Sequence, residues 1–333
     1  MNDPKLFSQK SLFVWLMAAL FAVGLGALPA PAQPLSLLEN SFYTAYKSQP
    51  DIYQALDSLV SARPALASSF SIGKSYEGRD IRALRLTNSA ITSPKRQFVI
   101  DAGYQGREWA AISTCVYLIK KFVESPALLD SCEIYFIPLV NGDGYAYSQD
   151  SDRLYLKNRG GAGVDLQRNF NFHWGEVGGS NTPSSNDYRG PSAASEPETQ
   201  VMQNFFATLT NFKGYINLGC YGQTLTSPWG WSTNDCPDAA AQSTMMESMA
   251  GAIAAANAKQ YSWGARANLL PPQSGNSVDY VYGAHHVAHA YYLKLRDTGQ
   301  YQYTLPANQL IPLGEEIFAG VKLMIDSLCS TNG

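Results

Sequence analysis

The chain has 333 residues, of which 45% are hydrophobic and 15% are charged, and its formal net charge at pH 7 is −3. That length and apolar content are enough to bury a substantial core in one large domain or two small ones. The low and nearly balanced charge argues against nucleic acid or an anionic membrane surface as a partner.

Residues 1–32 have the pattern of a secretory signal peptide. Lys5 and Lys10 precede an apolar run at 12–28, and the small residues at 30–32 offer a cleavage site. The alternative is a single membrane anchor, because the run approaches the length that spans a bilayer. We therefore predict a secreted protein that has no membrane association after the signal is cleaved.

The chain contains five cysteines: Cys115, Cys132, Cys220, Cys236 and Cys329. An oxidising compartment permits disulfides, but an odd count leaves one thiol over, and the pairing cannot be read from the spacing. No Cys-x-x-Cys pair or zinc-finger spacing is present.

The apolar spacing of the remaining chain predicts alternating helices and strands. In chain order these are a helix at 43–67, strands at 70–72, 81–86 and 97–102, a helix at 109–123, a strand at 132–140, a turn at 141–144, a loop at 160–190, a helix at 196–209, a strand at 215–218, a helix at 239–258, a strand at 290–295 and a helix at 315–328. Ser195 and Glu198 have the spacing of a capping box for the helix at 196–209. This alternation indicates one α/β domain with a largely parallel sheet.

The loop after the strand at 97–102 has the frame of a two-ligand zinc half-site in which one ligand is changed. Gln105 and Glu108 have the spacing of a histidine followed three residues later by a glutamate. An uncharged amide is a poor zinc ligand beside imidazole, thiolate or carboxylate. The loop therefore indicates descent from a zinc-binding protein and a weakened metal site.

From residue 43 to its end the chain resembles the catalytic domain of the M14 metallocarboxypeptidases, in the carboxypeptidase A/B branch. The matching segments follow one another in the expected order at 75–79, 103–109, 141–145, 153–155, 163–170, 188–191, 195–198, 221–223, 277–280 and 295–299. The resemblance implies a mixed, largely parallel eight-stranded sheet with helices on both faces and a zinc site at its carboxyl edge. It divides the chain into the signal peptide, a short linker at 33–42 without a pro-domain, and a carboxypeptidase-like domain at 43–333.

The resemblance also assigns catalytic roles to positions that here carry unsuitable side chains. A zinc carboxypeptidase needs a histidine, a glutamate and a second histidine as ligands, together with a general base, an oxyanion arginine and a closing tyrosine. In that order, these positions are Gln105, Glu108, Gly219, Lys294, Leu156 and Pro271. Only the glutamate is retained, and a protonated lysine cannot accept a proton from water.

Several binding positions implied by the resemblance are retained or changed conservatively. They are Arg168 at the carboxylate clamp, Gln167 in place of the neighbouring asparagine, Arg107 at a subsite, Asp165 as the group that orients the first ligand, and Val278 at the floor of the specificity pocket. Val278 predicts an apolar pocket. The changes therefore affect the positions needed for catalysis, while many of the binding positions in the cleft are retained.

We predict from these positions a secreted, catalytically inactive carboxypeptidase-like protein that needs no cofactor. Its predicted ligands are peptide or protein C-termini or another carboxylate. Without zinc, Glu108 would be an uncompensated buried charge, so we expect Lys294 to replace the metal by pairing with it.

Two other functions stay open at this point. Zinc held by Gln105, Glu108 and Cys220 would make the chain an active metallocarboxypeptidase that prefers apolar C-terminal residues. Alternatively, the cleft is vestigial and the outer surface binds a partner. His285, His286 and His289 include an i, i+4 pair that chelates metal when it lies on a helix, although surface or packing roles are favoured. A serine hydrolase finds no support, because no Gly-x-Ser-x-Gly elbow is present.

Overall fold

The computed structural model describes residues 36–330, where eight strands form one mixed sheet. The strands are β1 (Ala67–Lys74), β2 (Asp80–Leu86), β3 (Arg96–Ala102), β4 (Cys132–Ile137), β5 (Phe212–Gly219), β6 (Thr224–Ser227), β7 (Ser262–Ala265) and β8 (His289–Lys294). The predicted signal peptide lies outside the described residues. Within 36–330, no helix is long and apolar enough to cross a membrane.

The α-helices of the same residues flank this sheet. They are α1 (Gln49–Ala62), α2 (Trp109–Val123), α3 (Gly142–Asp150), α4 (Pro197–Ala207), α5 (Ala239–Asn257), α6 (Arg266–Leu269), α7 (Ser277–His285) and α8 (Leu310–Ser330). The alternation of β3, α2, β4 and later of α4, β5 follows the order that the apolar spacing predicts.

The sheet order is β1–β2–β4–β3–β5–β8–β6–β7, with a parallel centre, antiparallel pairs on either side of it and a parallel β6–β7 pair at one edge. Strands β4, β3, β5 and β8 run parallel to one another. Strand β2 is antiparallel to β1 and β4, and β6 is antiparallel to β8. The predicted mixed, largely parallel eight-stranded sheet is confirmed.

Alternate side chains of the central strands enter two separate cores, one on each face of the sheet. Phe98 and Ile100 of β3 lie in the core that α2, α5 and α8 cover, whereas Val99 lies in the core of α4 and α7. Successive residues of a strand point to opposite faces, so a strand buried on both faces is apolar throughout. This is why residues 97–102 read as a buried strand, and helices lie on both faces as predicted.

Residues 141–144 do not form the predicted isolated turn but begin helix α3. The side chain of Asn141 accepts a hydrogen bond from the backbone amide of Gly144 at 2.8 Å and so caps the helix. An asparagine followed by glycines satisfies both turn chemistry and helix capping, so local sequence did not distinguish them.

The predicted capping box at the start of α4 is wrong. The residue that precedes the helix is Glu196, which makes no side-chain capping bond, and the Ser195 hydroxyl donates to the Glu196 carboxylate at 2.8 Å. Glu198 instead accepts hydrogen bonds from the backbone amide of Tyr76 at 2.9 Å and from Asn158 at 3.0 Å. The Glu198 side chain, which local spacing assigned to the helix end, is therefore bound by two residues that are distant in the chain.

The fold of residues 36–330 contains no disulfide. All five cysteines are free, and Cys329 is the only one of them that is not buried. The Cys132 thiol donates to the Leu128 carbonyl at 3.1 Å.

A side-chain carboxyl group is buried near the end of strand β3. Asp101 of β3 is fully buried and accepts hydrogen bonds from the hydroxyls of Tyr104 and Tyr215 and from the Asn217 amide, each at 2.8 Å. Burial raises the pKa of Asp101 to about 7, against the lowering effect of these three donors. The group therefore stays protonated in the folded chain over a pH range in which the unfolded chain ionises it.

Replacing Asp101 by asparagine is expected to flatten the pH dependence of stability. Because the folded-state pKa is raised, the contribution of Asp101 is most favourable below pH 4 and declines as pH rises towards 7. The difference between wild type and Asp101→Asn should change by roughly 2–4 kcal/mol across that window. Urea unfolding at a series of pH values measures it. Asp235→Asn removes an exposed carboxylate and is the matched control; equal pH profiles for all three proteins would contradict the assignment.

Candidate functional site

A cavity of about 500 Å³ opens where β3, β5 and β8 end. The chain passes from β3 to β4 on one side and later to β5 on the other, so the cavity lies at a topological switch point, where ligands bind in open α/β sheets. Most of the positions singled out in the sequence line it: Gln105, Arg107, Glu108, Leu156, Gln167, Arg168, Cys220, Pro271, Val278 and Lys294. The structure therefore brings these distant residues into one site.

At the position that the resemblance assigns to the first zinc ligand, the side-chain amide of Gln105 lies between Asp165 and Arg107. Nε2 of Gln105 lies 3.5 Å from Oδ1 of Asp165, and its Oε1 accepts from Nη2 of Arg107 at 3.4 Å. Arg107 in turn stacks on Tyr303, with its guanidinium 3.9 Å from the ring centre. Asp165 contacts residue 105 as the resemblance implies, but it orients an amide.

Glu108, the retained acid, is buried and has a protein partner. Its Oε1 accepts a hydrogen bond from the backbone amide of Cys220 at 3.0 Å. Burial raises the pKa of Glu108, whereas Arg107 and Lys294 act to lower it. The carboxyl group is thus bound by the residue that follows β5, and its pKa depends on the charges of the nearby cations.

Lys294 does not form the expected direct ion pair with Glu108. Its ammonium makes no hydrogen bond or ion pair with any described residue, although it lines the same cavity. Burial lowers the pKa of Lys294, and the charge of Glu108 opposes that shift. The ion pair that the sequence predicts between Glu108 and Lys294 is therefore wrong as a direct contact.

A tyrosine fills the space beside the second former ligand position. A Cβ atom placed on Gly219 would lie 2.3 Å from the hydroxyl and 2.7 Å from a ring carbon of Tyr292. Tyr292 pairs with Asn217 across the β5–β8 ladder, so its side chain lies diagonally beside residue 219. No larger side chain fits at 219 while Tyr292 keeps this position, and Tyr292 was not identified from the sequence.

The side chains at this site do not fit a zinc ion. Zinc takes imidazole, thiolate or carboxylate donors, usually three from the protein in a catalytic site. Here Gln105 offers an amide, Gly219 offers nothing, and only Glu108 supplies a charged donor. No group of three or more histidine, cysteine, aspartate or glutamate side chains in residues 36–330 is arranged to hold a metal.

Cys220 does not supply the missing ligand in this arrangement. It is 3% exposed, and burial raises the pKa of its thiol well above the ordinary value, which disfavours the thiolate that binds zinc. The thiol of a site formed by Gln105, Glu108 and Cys220 would therefore stay protonated, and a protonated thiol is a poor zinc donor.

Leu156 and Pro271 are the residues that the resemblance assigns to the positions of the oxyanion arginine and the closing tyrosine. Leu156 is buried in the cavity wall, and its carbonyl accepts the backbone amide of Gly106 at 3.0 Å, which fixes the loop that carries Gln105. Pro271 is exposed at the rim. Neither side chain carries a hydrogen-bond donor, so neither can stabilise a developing negative charge.

Arg168 keeps part of its guanidinium available to a ligand. Its Nη1 pairs with Asp165, its Nε donates to the Gly178 carbonyl at 2.6 Å, and its Nη2 has no acceptor among the described residues. Gln167 beside it is engaged by the protein, because its Nε2 donates to Asn217 at 3.2 Å and to Ser277 at 3.1 Å. Arg168 is therefore the side chain best placed to bind a carboxylate.

The pocket wall that contains Val278 also contains a cation. Val278 is 3% exposed and lines the cavity, and Arg266 of α6 lines it as well. Arg266 adds a positive charge to a pocket that Val278 alone predicts to be apolar. No local pattern around Arg266 indicated this role, because only the packed fold places Arg266 in the same cavity wall as Val278.

The three histidines near β8 are not gathered around a common point. His285 ends α7 and contacts the rings of Phe206 and Tyr280, whereas His289 begins β8 and hydrogen-bonds the Tyr291 hydroxyl at 2.8 Å. His286 lies between them in the left-handed backbone region and is exposed. Because the helix ends at His285, the i, i+4 pair does not lie on one helix face.

Comparison with known proteins gives consistent results along most of the chain. The profile of the family described as zinc carboxypeptidase (Peptidase_M14) matches residues 52–320. Carboxypeptidase B of Astacus astacus is 37% identical over 302 residues, which cover 87% of this chain and 99% of the relative. Carboxypeptidase A1 of Bos taurus is 33% identical over 301 residues, 86% of this chain and 71% of the relative.

Solved structures show the same fold. Bovine thrombin-activatable fibrinolysis inhibitor, solved in complex with tick carboxypeptidase inhibitor, superposes with a TM-score of 0.82 at 27% identity, covering 86% of this chain and 98% of that one. Carboxypeptidase A from Helicoverpa armigera superposes with a TM-score of 0.80 at 25% identity, covering 87% of this chain and 75% of that one.

Proposed function

This chain belongs to the zinc carboxypeptidase family, and from that membership we propose that it is a secreted, non-catalytic member that binds the C-terminal carboxylate of peptides or proteins. Secretion rests on the signal pattern of residues 1–32. Binding without hydrolysis rests on the side chains that line the cavity.

This proposal rests on the contrast between the side chains at the catalytic positions of the cavity and the arginine at its carboxylate-binding position. Gln105, Gly219 and Lys294 stand where the resemblance places two histidines and a general base, while Arg168 lines the cavity and its Nη2 has no acceptor among the described residues. Arginine binds carboxylates strongly, because its planar donors match the two carboxylate oxygens. A bound carboxylate would thus find its partner but no group to cleave the adjoining peptide bond.

The losses are too many for residual hydrolysis to be appreciable. Acid–base and oxyanion groups each typically contribute about 10²–10⁴-fold to a rate. Lys294 and Leu156 replace one of each, and the zinc that would polarise the scissile carbonyl lacks fitting ligands. We infer that the cleft binds without turnover.

Free-acid peptides are expected to bind more tightly than the same peptides amidated at the C-terminus. A charged hydrogen bond contributes about 1.5–3 kcal/mol, so Arg168→Met should weaken free-acid binding by roughly 10- to 100-fold and leave amidated peptides unaffected. Isothermal titration calorimetry measures both, and product analysis of the same mixtures measures hydrolysis.

Two further variants protect this test against misfolding and charge effects. Arg168→Lys keeps the positive charge beside Asp165 but loses the planar fork, so its affinity should lie between wild type and Arg168→Met. Arg63→Met removes an exposed arginine at the end of α1 and should bind like wild type. Equal affinity for acids and amides would refute carboxylate binding, and chelator-sensitive release of C-terminal residues would show a surviving hydrolase.

A further inference from the structure

Two cations of the cavity wall form no ion pair with any described residue. The ammonium of Lys294 makes no hydrogen bond or ion pair within residues 36–330. Arg266 donates only to neutral acceptors, from Nη1 to the Pro271 carbonyl at 3.0 Å and from Nη2 to Gln273 Oε1 at 2.5 Å. Removing a cation from water without giving it an anion is costly, so this arrangement favours an anionic ligand.

The acids near these cations are already engaged elsewhere. Asp279 accepts hydrogen bonds from the backbone amides at 230 and 231 and from the Asn276 amide, at 2.9–3.2 Å. Asp165 pairs with Arg168, and Glu108 accepts the backbone amide at 220. Asp187, which also lines the cavity, accepts the hydroxyl at 185. None of these four carboxyl groups forms an ion pair with Lys294 or Arg266.

The cations also repel one another across the cavity. Burial is the largest cause of the lowered pKa of Arg266 and of Lys294. Arg168 lowers the pKa of Arg266 further, and Arg266 does the same to Lys294, because like charges disfavour each other's ionised form. An anion placed among the three would relieve this repulsion.

The surface beside the two cations suits a short side chain that ends in an anion. Val278 and Tyr292 contribute apolar surface to the same cavity, against which methylene groups can pack. Arg168, which the proposed function assigns to the main-chain carboxylate, lies near enough to Arg266 for their charges to interact. One C-terminal residue can therefore present a terminal carboxylate to Arg168 and a side-chain carboxylate to this wall.

We propose that Arg266 and Lys294 form a second anion subsite, so that the preferred ligand is a peptide or protein ending in glutamate or aspartate. This inference rests on the proposed function, since binding of the terminal carboxylate by Arg168 directs the last side chain to that wall. It replaces the apolar preference that Val278 alone predicts with an acidic one.

The test compares three peptides of otherwise identical sequence. One ends in glutamate with a free C-terminus, the second ends in glutamine with a free C-terminus, and the third ends in glutamate with a C-terminal amide. Glutamate and glutamine have the same shape and differ only in charge, so the first should bind about 10- to 100-fold more tightly than the second. Calorimetric titration of the full chain measures all three.

Substitutions of Lys294 and Arg266 test whether these two cations cause the preference for glutamate over glutamine. Lys294→Met loses a charge but no hydrogen bond, so the folded structure should persist and the glutamate-to-glutamine affinity ratio should fall towards one. Arg266→Met should reduce the ratio in the same way, and Arg266→Lys should restore part of it. Lys213→Met is the matched control, since Lys213 is exposed at the opposite end of β5 and the variant should keep the wild-type ratio.

The outcomes separate the two proposals. Equal affinity for the glutamate and glutamine acids overturns the second subsite, and tighter binding of both than of the amide then leaves carboxylate binding by Arg168 standing. Equal affinity for the acid and the amide of the glutamate peptide overturns the proposed function itself. A preference for glutamate that survives both Lys294→Met and Arg266→Met overturns the assignment to these two residues.

Discussion

Restoring histidine at positions 105 and 219 is expected to create a zinc site only when Tyr292 is shortened in the same chain. Gln105→His and Gly219→His supply the two missing imidazoles, which together with Glu108 make three suitable donors. A Cβ at 219 would lie 2.3 Å from the Tyr292 hydroxyl, so the double variant must displace that ring. Adding Tyr292→Thr removes the obstacle and keeps a residue that favours strands.

Metal analysis after chelation, reloading and dialysis measures this expectation. The triple variant should retain zinc in a one-to-one ratio, whereas wild type should retain almost none, a difference of several orders of magnitude in affinity. The double variant should bind zinc weakly and lose about 1–3 kcal/mol of stability through overpacking. Tyr292→Thr alone is the control for the loss of the ring. One-to-one zinc in wild type would contradict the proposal that the site no longer holds metal.

Zinc alone is not expected to return hydrolysis to the triple variant. Lys294 would still occupy the general-base position, and Leu156 would still offer no donor to a developing oxyanion. Adding Lys294→Glu and Leu156→Arg should each raise the rate by about 10²-fold or more once zinc is held. Peptide hydrolysis by the triple variant at the full rate of its five-substitution derivative would show that those two roles are filled by other residues.

Breaking the buried ion pair between Arg296 and Glu316 is expected to cost the most stability of any single charge removal. Glu316 of α8 is 0% exposed and accepts from Arg296 Nε at 2.8 Å and Nη2 at 2.5 Å, and from the Tyr261 hydroxyl at 3.0 Å. Arg296 follows β8 by two residues, so the pair joins the end of that strand to α8. Glu316→Leu leaves the guanidinium buried without an anionic partner, with only Gln309 Oε1 as a side-chain acceptor at 3.4 Å, and should cost about 3–5 kcal/mol.

A double-mutant cycle distinguishes a broken pair from a lost contact. Arg296→Met combined with Glu316→Leu replaces both charges by apolar side chains, so the double variant should be more stable than Glu316→Leu alone. Asp326→Ala removes half of an exposed pair with Lys322 on the same helix and should change stability by less than about 0.5 kcal/mol. Urea unfolding followed by tryptophan fluorescence measures each variant. Strictly additive losses would show that the two side chains act independently.

The grouping of the positions that the resemblance assigns to catalysis was predictable, because these positions are tied to strand ends. Gln105 and Glu108 follow β3, Gly219 ends β5, and Lys294 ends β8, and each of these strands is a run of apolar residues that is recognisable by itself. Parallel strands bring their carboxyl ends to one edge of a sheet, so residues that follow such strands meet. The grouping of these four positions in one site therefore followed from the order of the motifs.

The residues that decide what the cavity accepts were not predictable in the same way. Tyr292 and Arg266 carry no motif, and their roles arise because one ring fills the space at Gly219 and one guanidinium shares a wall with Val278. The same limit applies to Glu198, whose side chain accepts hydrogen bonds from Tyr76 and Asn158. Such contacts join residues far apart in the chain, and local spacing does not encode them.

The sequence by itself determined that this chain has the sheet and the strand-end loops of a zinc carboxypeptidase, and it predicts that Gln105, Gly219 and Lys294 stand at the positions that the resemblance assigns to catalysis. Only the tertiary structure decided how the charges of the cleft are partnered: Glu108 with a backbone amide, Arg168 with Asp165, and Lys294 with no side chain at all. The reason is physical. Strand periodicity is a property of neighbouring residues, whereas the partner of a buried charge is whatever distant group the packed fold places within about 3 Å of it.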